Sequence, residues 1–230
     1  MTRTYKQGCM LAYALDNLGE RWTLLIVRDL LLGPRGFVDL QTSLAGIGGS
    51  LLSKRLKELE EIGIITSEGF DGKRSQYRLT DLGEHLRPTV RAMMRWSVRF
   101  MAATVDNPHV RETMFNHVDK PDSVALGVEM YAEFQRDPSL SYVAHLIVDN
   151  RPYTVYYMKG EMTVRRGADA PAMAQIETDS ETALRGLKRI IDTDEARELM
   201  KAEGDRAVVD HLLRCIASKR PEKSIKSSAA

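Results

Sequence analysis

The sequence predicts two domains of different class: a mainly α N-terminal domain closed by a β-hairpin, and a C-terminal α+β domain with a smaller sheet. Apolar residues recur at helical spacing through the first sixty residues. The runs "IITSE" and "SQYRLT" then alternate like strands around an Asp71-Gly72 turn signal. Three further alternating runs, within residues 140–167, are followed by helical patterns. At 230 residues, the chain has room for both domains.

The first domain is predicted to contain short helices before its hairpin. "MLAYALDNLGE" has helical spacing and ends near Gly19, and "RWTLLIVRDLLLG" is apolar on most sides, which indicates a central buried helix. After the breaker "GPRG", "FVDLQTSL" predicts a short helix, and "AGIGGS" is a loop. Beyond the hairpin, Thr80 is a candidate cap for a long helix to about Val105, which Pro88 should kink or interrupt.

The stretch "SLLSKRLKELEEIG", residues 50–63, predicts the third helix of this core. Leu52, Leu56 and Leu59 share one face, and polar residues occupy the opposite one. Its bases lie in the first half and its acids in the second, against the preference of the helix dipole. Three helices followed by a hairpin is the order of a winged helix-turn-helix, whose third helix enters the DNA major groove. Bases at the approaching end fit that role.

The second half is predicted to be an α+β domain. "VALGVEMYAEFQRD" is an amphipathic helix, and "LSYVAHLIVD", "RPYTVYYMKG" and "EMTVRRG" are strands joined by turns at Asp149-Asn150 and Lys159-Gly160. Three helical runs follow: "DSETALRGLKRII", "DTDEARELMKAEG" and "DRAVVDHLLRCIA". The predicted divisions are a winged-helix domain, a linker, the α+β domain and a disordered tail, at residues 1–105, 106–123, 124–217 and 218–230.

Composition excludes several classes of protein. With 43% hydrophobic and 28% charged residues, the chain is typical of globular proteins, and no apolar run approaches the ~20 residues that cross a bilayer. The N-terminus has no signal-peptide core, and two cysteines make neither a disulfide framework nor a zinc site. We therefore expect a cytoplasmic protein with no membrane partner and no metal. Residues 1–105 carry 15 Lys and Arg against 11 Asp and Glu, a net +4, whereas residues 106–218 carry 14 against 20, a net −6.

The first domain resembles the HxlR-like winged-helix transcription regulators over roughly 95 positions. The matching residues are Cys9, "ALDNLGERWTLLIVRDLLLGP", the Phe and "DL" of "FVDL", "GIGGSLLSKRLKELEEIGII" and "YRLTDLG". The chain departs from the family pattern at Met10, where a proline is usual, at Gly36, where an arginine is usual, and in its shorter wing "GFDGKRSQ". The resemblance implies a homodimeric regulator of double-stranded DNA, more often a repressor than an activator.

Candidate DNA contacts lie on the third helix and on the wing. They are Ser50, Ser53, Lys54, Arg55 and Lys57 on the helix, and Lys73 and Arg74 on the wing. Arg55 lies at the edge of the apolar face, so the sequence allows two roles for it: packing against the core or contact with a phosphate. A merely solvated helix face is the alternative for the whole set, and the hairpin and the family pattern argue against it.

Cys9 stands where the resemblance implies a thiol that senses oxidants or electrophiles. Lys6 and Arg3 lie nearby in sequence. The alternative is a small core residue. No other chemistry is indicated: the five histidines share no ligand spacing, "GIGG" follows a helix rather than a strand, and no G-x-S-x-G pattern appears. We expect a non-enzyme without a cofactor.

The α+β domain resembles the sterol-carrier-protein-like (SCP-like) lipid-binding domains. The resemblance lies in "YTVYYMKGEMTVRRGADAPAMAQIETDSETALRGLKRI" and "MKAEGDRAVVDHLL". It implies a small sheet backed by helices around an apolar cavity, hence an apolar small-molecule effector. Candidate lining residues are Phe134, Tyr142, Tyr156, Tyr157 and Met158. The alternative is an α+β domain in which these are core residues and no cavity exists.

The long helix after the hairpin offers apolar residues for burial against a second copy of the chain. Candidates for this interface are Val90, Met94, Trp96, Val98 and Met101. Packing on the second domain is the alternative. The predicted function is therefore sequence-specific DNA binding by a homodimeric regulator that responds to an apolar effector. The alternative function is a carrier of lipids or hydrophobic metabolites whose winged domain mediates dimerisation; charge reversal at Lys54 and Lys57 separates the two.

Overall fold

The computed structural model describes residues 4–69, 76–103 and 120–217. These residues form two compact units, with the boundary between Val118 and Asp119. No helix in the described ranges is long and apolar enough to span a membrane.

The described part of the first unit contains six helices and a three-stranded antiparallel sheet. The helices are α1 (Met10–Leu18), α2 (Thr23–Leu31), α3 (Phe37–Ser43), α4 (Gly49–Glu61), α5 (Asp81–Glu84) and α6 (Arg87–Ala103). The strands are β1 (Arg35–Gly36), β2 (Ile65–Glu68) and β3 (Gln76–Leu79), in the order β1-β3-β2. The predicted short helices, the third core helix and the hairpin are confirmed.

The core of the first unit is built around α2, as predicted. Ile26 and Leu30 of α2 are at most 1% exposed, and they belong to one apolar cluster with Leu52, Leu56 and Leu59 of α4. Truncating a buried leucine to alanine in such a core costs ~2–5 kcal/mol. The apolar face of α4 is therefore committed to the core, and its polar face is left outward.

Two sets of polar contacts connect α2 with α3 and with α6. The Asp29 carboxylate, almost fully buried, accepts a hydrogen bond from Ser43 Oγ at the end of α3 and pairs with Arg28 at 2.6 Å. The buried Arg87 donates from Nη2 to the Leu31 carbonyl oxygen at 2.7 Å. This second bond satisfies a carbonyl at the C-terminus of α2 and anchors the start of α6 there.

Two details of the first unit differ from prediction. The breaker "GPRG" contains β1, where Arg35 pairs with Tyr77 of β3, a two-residue strand without a pattern of its own. The helix expected after Thr80 is two helices: the Thr80 hydroxyl accepts from Gly83 N at 3.2 Å and caps α5, and α6 begins at Arg87. Pro88 lies in the first turn of α6, where its missing N–H costs little, and the predicted interruption falls just before it.

The second unit is a two-layer α+β structure. In the described residues, its helices are α7 (Lys120–Ala132), α8 (Ser180–Leu187), α9 (Thr193–Leu199) and α10 (Arg206–Ala217), with a 3-10 turn at Glu133–Gln135. Its strands are β4 (Tyr142–Val148), β5 (Arg151–Met158), β6 (Glu161–Arg166), β7 (Ala174–Thr178) and β8 (Lys201–Gly204). The sheet order is β6-β5-β4-β7-β8; β4 and β7 are parallel, and the other neighbours are antiparallel.

Two predicted turns join β4, β5 and β6. Asp149 and Asn150 have φ of 49° and 62°, and Lys159 and Gly160 have φ of 53° and 84°. A two-residue turn with positive φ at both residues matches the right-handed twist of the two strands that it joins. Both predicted turns are confirmed, and the Asp149-Asn150 turn fixes the register of β4 and β5, in which Tyr142 pairs with Tyr157.

Alternate residues of the central strands are buried against helices. On β4 these residues are Tyr142, Ala144, Leu146 and Val148. Helix α7 contacts β4 and β6, α10 contacts β7 and β8, and the two helices contact each other. The core of the second unit therefore lies between the sheet and these helices.

Two predictions for the second half were wrong in part. "KAEG" was expected to be helical, but it forms β8, because it pairs with β7 through Ile176 and Ala202. Residues 120–123 were assigned to the linker, but α7 begins at Lys120. The buried Asp122 accepts from Tyr153 Oη at 2.7 Å and pairs with Arg166 at 2.5 Å, which ties this first turn to the sheet. Residues 106–119 of the predicted linker and the predicted tail lie outside the described ranges.

Candidate nucleic-acid interface

The N-terminus of α4 is open and lies on a glycine-rich turn. Its N-cap is Gly48, which has no side chain to bond the amides of the first turn, and a Cβ added there would meet nothing within 4 Å. Gly46 has φ of +98°, a conformation that side chains disfavour. A Cβ at Gly46 would lie 3.8 Å from the Trp22 ring. This end of α4 can therefore approach a phosphate closely, and its orphan amides favour an anion.

Four predicted contacts share the exposed face of α4: Ser50, Ser53, Lys54 and Lys57. The Lys54 and Lys57 side chains are 66% and 77% exposed. Their ammonium groups lie 3.8 Å from Glu58 and 3.7 Å from Glu61, one turn further along. Exposed pairs of this kind contribute little stability, so both lysines are free to exchange carboxylates for phosphates.

Arg55 is placed differently from the other helix candidates. Its side chain is only 11% exposed, and its guanidinium pairs with Glu20 at 2.6 Å and with Glu58 at 2.5 Å. The first carboxylate comes from the connection between α1 and α2. Of the two roles that the sequence leaves open, packing is the one these contacts favour.

For the wing candidates, only the two strands that precede and follow them in the sequence are described. Strands β2 and β3 pair antiparallel from Ile65 and Leu79 to Glu68 and Gln76. Arg78 and Glu68 form an ion pair across the two strands. Lys73 and Arg74 lie outside the described residues, between the ends of these strands.

Cys9 is the N-cap residue of α1, and its side chain is exposed. The backbone N–H groups of Ala12 and Leu11, in the first turn of α1, lower the pKa of the Cys9 thiol. The core alternative for Cys9 is therefore wrong, and it applies instead to Cys215, whose burial raises its pKa to about 12. The chain before Cys9 is held along α1 because Tyr5 N donates to Asp16 at 2.8 Å.

Exposed apolar side chains lie on both α1 and α6, and together they are called the exposed apolar face. On α6, Trp96 is 63% exposed and stacks on Phe100 with ring centroids 5.0 Å apart. Among the predicted interface residues, Val90 is wrongly placed, because it is buried in the core of its own unit. Met94 packs against that core, Val98 is half-buried, and the side chain of Met101 is outside the described set. The prediction missed four exposed apolar residues of this face: Met10, Tyr13, Met93 and Phe100. Helical spacing relates Met93, Trp96 and Phe100, and that signal could have identified them.

Comparison with known proteins places this geometry in a family. Residues 17–105 match the model of the HxlR-like helix-turn-helix. The uncharacterised HTH-type transcriptional regulator YvaP of Bacillus subtilis is 36% identical over 90 residues, which are 38% of this chain and 83% of YvaP. The chain belongs to the HxlR-like family.

Other relatives of this HxlR-like protein match segments of similar length. The HTH-type transcriptional regulator YodB of Bacillus subtilis is 32% identical over 89 residues, 38% of this chain and 80% of YodB. The uncharacterised HTH-type transcriptional regulator Rv3095 of Mycobacterium tuberculosis is 37% identical over 97 residues, 41% of this chain, and the match spans 61% of that relative. A quinone-bound crystal structure of YodB aligns with 40% of this chain and 99% of its own, at 29% identity and a TM-score of 0.37.

In the second unit of this HxlR-like protein, two of the predicted pocket residues meet around a histidine. Tyr142 and Tyr157 are buried, and their rings stack at 5.1 Å. His211 Nε2 donates to the Gln135 carbonyl at 2.7 Å, so the neutral ring accepts from the Tyr142 hydroxyl at Nδ1, also 2.7 Å away. The Tyr157 hydroxyl accepts from Asp137 N at 2.7 Å.

The other three pocket candidates lie elsewhere. Tyr156 precedes Tyr157, the β5 partner of Tyr142, by one residue. Neighbouring side chains of a strand point to opposite sheet faces, and on its own face the Tyr156 hydroxyl donates to Asp169 at 2.8 Å. Met158 is 62% exposed, and Phe134 is 56% exposed. The five residues therefore do not converge, and sequence reasoning alone had no means of choosing the sheet face.

Proposed function

We propose that this HxlR-like protein is a transcription regulator that binds specific double-stranded DNA as a homodimer, with α4 as the recognition helix. The carrying observation is the exposed face of α4, where Ser50, Ser53, Lys54 and Lys57 lie beside a glycine N-terminus. Hydroxyl and ammonium groups at the start of a recognition helix read base edges and phosphates in the major groove. Lys73 and Arg74 are proposed phosphate contacts of the wing, and Arg55 is left out of the direct contacts.

The proposed dimer uses the apolar face of α1 and α6. Trp96 and Phe100 on α6, with Met10 and Tyr13 on α1, expose large apolar side chains. Large apolar side chains that are exposed on neighbouring turns of a helix are typical of a protein–protein interface. A two-fold dimer presents two recognition helices to paired half-sites, which fits the reading of a palindromic operator.

For the second unit we propose SCP-like binding of an apolar small molecule. A five-stranded sheet backed by helices supports this proposal. Such an effector would change DNA binding only through its differential affinity for two arrangements of the dimer. Repression in the cytoplasm is the proposed outcome of operator binding.

We also propose that Cys9 senses oxidants or electrophiles. The side chain is exposed, and amide N–H groups at the start of α1 lower its pKa. A thiolate is the reactive form of cysteine, so these two properties together favour reaction. Cys9→Ser should abolish any response of DNA binding to peroxide or quinone.

The deciding experiment is a selection of bound fragments from genomic DNA of the source organism at two salt concentrations. Enrichment of a palindromic site, with affinity that falls steeply as salt rises, is the expected result. Lys54→Glu with Lys57→Glu should abolish that enrichment. If no site is enriched and these charge reversals change nothing, the DNA-binding proposal is wrong and the carrier function takes its place.

A further inference from the structure

Arg55 joins the recognition helix to the connection between α1 and α2. Its Nη2 donates to Glu20 Oε2 at 2.6 Å, and its Nη1 donates to Glu58 Oε2 at 2.5 Å. With 11% of its side chain exposed, the guanidinium is screened from water far better than the lysines beside it. The group is thus engaged inside the protein, on the flank of the face proposed to meet DNA.

The same connection reaches the helix-turn-helix at a second point. Trp22 has φ of +82°, a left-handed conformation that a bulky residue keeps only when its surroundings impose it. Its ring packs against the core and lies 3.8 Å from the Cβ position of Gly46, in the turn before α4. Arg21 lies over the same ring, with its guanidinium carbon 5.0 Å from the Trp22 ring centroid. The connection therefore contacts both the turn that leads into α4 and the middle of α4.

The charged contacts continue from Arg55 to the DNA-facing surface. Glu58 shares its two oxygens: Oε2 accepts from Arg55, and Oε1 lies 3.8 Å from Lys54 Nζ. Glu20, Arg55, Glu58 and Lys54 form a continuous chain of alternating charge from the end of α1 to a proposed phosphate contact.

We infer that Glu20 and Arg55 are positioning residues that set the orientation of α4 relative to α1. This inference rests on the proposed DNA-binding function. Cys9 caps α1, and α1 carries part of the exposed apolar face, so the Glu20–Arg55 pair connects the segment that follows the proposed dimer-facing helix with the proposed DNA-reading helix. Arg55 then acts on specificity through the placement of α4, without touching DNA.

Glu20→Gln tests this inference, because the two explanations predict opposite changes in operator affinity. Removing a negative charge from a DNA-binding surface by itself strengthens attraction to a polyanion. Loss of positioning instead weakens binding to the selected operator, by about threefold to tenfold, and leaves non-specific DNA affinity unreduced. Arg55→Gln should give a similar loss with an unchanged salt slope. The double variant should bind the operator no worse than Arg55→Gln alone, because Arg55→Gln already removes the contact with Glu20.

Two controls sharpen the comparison. Glu161→Gln removes a carboxylate that pairs with Arg136 at 2.5 Å in the second unit, and it should leave operator affinity unchanged. Arg55→Lys keeps the charge but cannot bridge two carboxylates with one planar group, so part of the loss should remain. Thermal unfolding of each variant identifies any that fail to fold.

Several outcomes would overturn the inference. If Arg55 contacts a phosphate, Arg55→Gln lowers the salt slope by about one, while Glu20→Gln binds as tightly as the wild type or more tightly. A loss of thermal stability alone, with operator affinity and specificity intact, also contradicts it. If wild-type protein binds no site, the proposed function itself fails. A third case separates the two proposals: the wild type binds a site, Lys54→Ala lowers the salt slope, and Glu20→Gln has no effect. In that case the DNA-binding function stands and only the positioning role is wrong.

Discussion

Two lysines on the polar face of α4 have only loose partners within their own helix. Lys54 and Lys57 lie 3.7–3.8 Å from carboxylates one turn further along, and both side chains are mostly exposed. Each lysine that neutralises a phosphate releases condensed counterions, and the dependence of affinity on salt records this release. The number of phosphate contacts can therefore be measured one residue at a time.

Lys54→Ala and Lys57→Ala should each reduce the slope of log K against log salt concentration by about 0.9. The measurement is fluorescence anisotropy of labelled operator DNA at four or more salt concentrations. Lys201→Ala is the matched control, since Lys201 pairs with Glu177 and Glu203 in the second unit. Slopes that stay at the wild-type value in both α4 variants would exclude these lysines as phosphate contacts.

The two cysteines should differ sharply in reactivity. Cys9 is exposed with a lowered pKa, and Cys215 is buried with a pKa raised to about 12. At neutral pH, iodoacetamide should modify Cys9 in the folded protein and reach Cys215 only after unfolding, because the thiolate is the attacking form. Mass spectrometry of timed samples measures both rates. Equal rates in the folded protein would contradict the placement of these thiols.

His211 should make the second unit sensitive to acid. Burial lowers the pKa of His211, so the folded state keeps the neutral ring, whose Nδ1 can accept from the Tyr142 hydroxyl while Nε2 donates to the Gln135 carbonyl. Above the ordinary pKa of 6.5, His211 is neutral in both the folded and the unfolded protein, so its protonation does not reduce the free energy of unfolding. As the pH falls below 6.5, the unfolded state takes up the proton first, and stability is lost until the lower pKa of the folded state is passed.

Urea unfolding followed by circular dichroism between pH 8 and pH 5 measures this loss. His211→Gln should flatten the dependence, although the variant is less stable at every pH. Asp137, whose pKa is lowered by its bonds from Ser139, contributes a separate loss below its ordinary value of 3.8. Both tryptophans belong to the first unit, so their fluorescence serves as an internal control. An equally steep dependence in the variant would assign it to other groups.

At the scale of elements, the turn before α4 needs one of its glycines and tolerates change at another. Gly46→Ala forces an L side chain to φ of +98° and should cost ~1–2 kcal/mol of stability. Gly48→Ala, at φ of −72° with open space around it, should be neutral within ~0.5 kcal/mol. Chemical denaturation of the two variants gives the comparison. Equal stabilities would mean that this turn relaxes without strain.

The elements also show how far sequence reasoning reaches. Helices α1 to α4 and the hairpins were predictable because each has its own periodicity, and each hairpin has a local turn signal. Strands β1 and β8 were not, because two and four residues without alternation become strands only through pairing with β3 and β7. Tertiary contacts override local preference in such short segments.

The candidate site likewise contains residues that could be predicted from local sequence and residues whose contacts could not. Exposure of Lys54 and Lys57 follows from the face opposite Leu52, Leu56 and Leu59, so the sequence was sufficient. The capture of Arg55 by Glu20, 35 residues earlier, has no sequence signature. Likewise, the pleat separates Tyr156 from Tyr157, but the pattern alone does not say which of the two sheet faces the helices cover.

At the scale of the whole molecule, the exposed face of α1 and α6 predicts assembly. Trp96→Glu should place a charge in the centre of the proposed dimer surface and weaken self-association at least ~tenfold. Sedimentation equilibrium at micromolar concentration measures the change, and operator affinity should fall with it. Ile190→Glu, at an equally exposed apolar residue of the second unit, is the control. A monomeric wild type, even with operator DNA present, would remove the homodimer from the proposal.

The contact between α7 and α10 has a consequence for how the protein is made. These helices lie more than seventy residues apart in sequence, at Lys120–Ala132 and Arg206–Ala217, and they pack together over the sheet. The second unit therefore cannot close until residue 217 has left the ribosome, whereas the described contacts of the first unit are complete by residue 103. A nascent chain can therefore fold the proposed recognition helix and the proposed dimer surface while its second half is still being synthesised. Neighbouring chains on one messenger RNA could then dimerise before the second unit of either chain has folded.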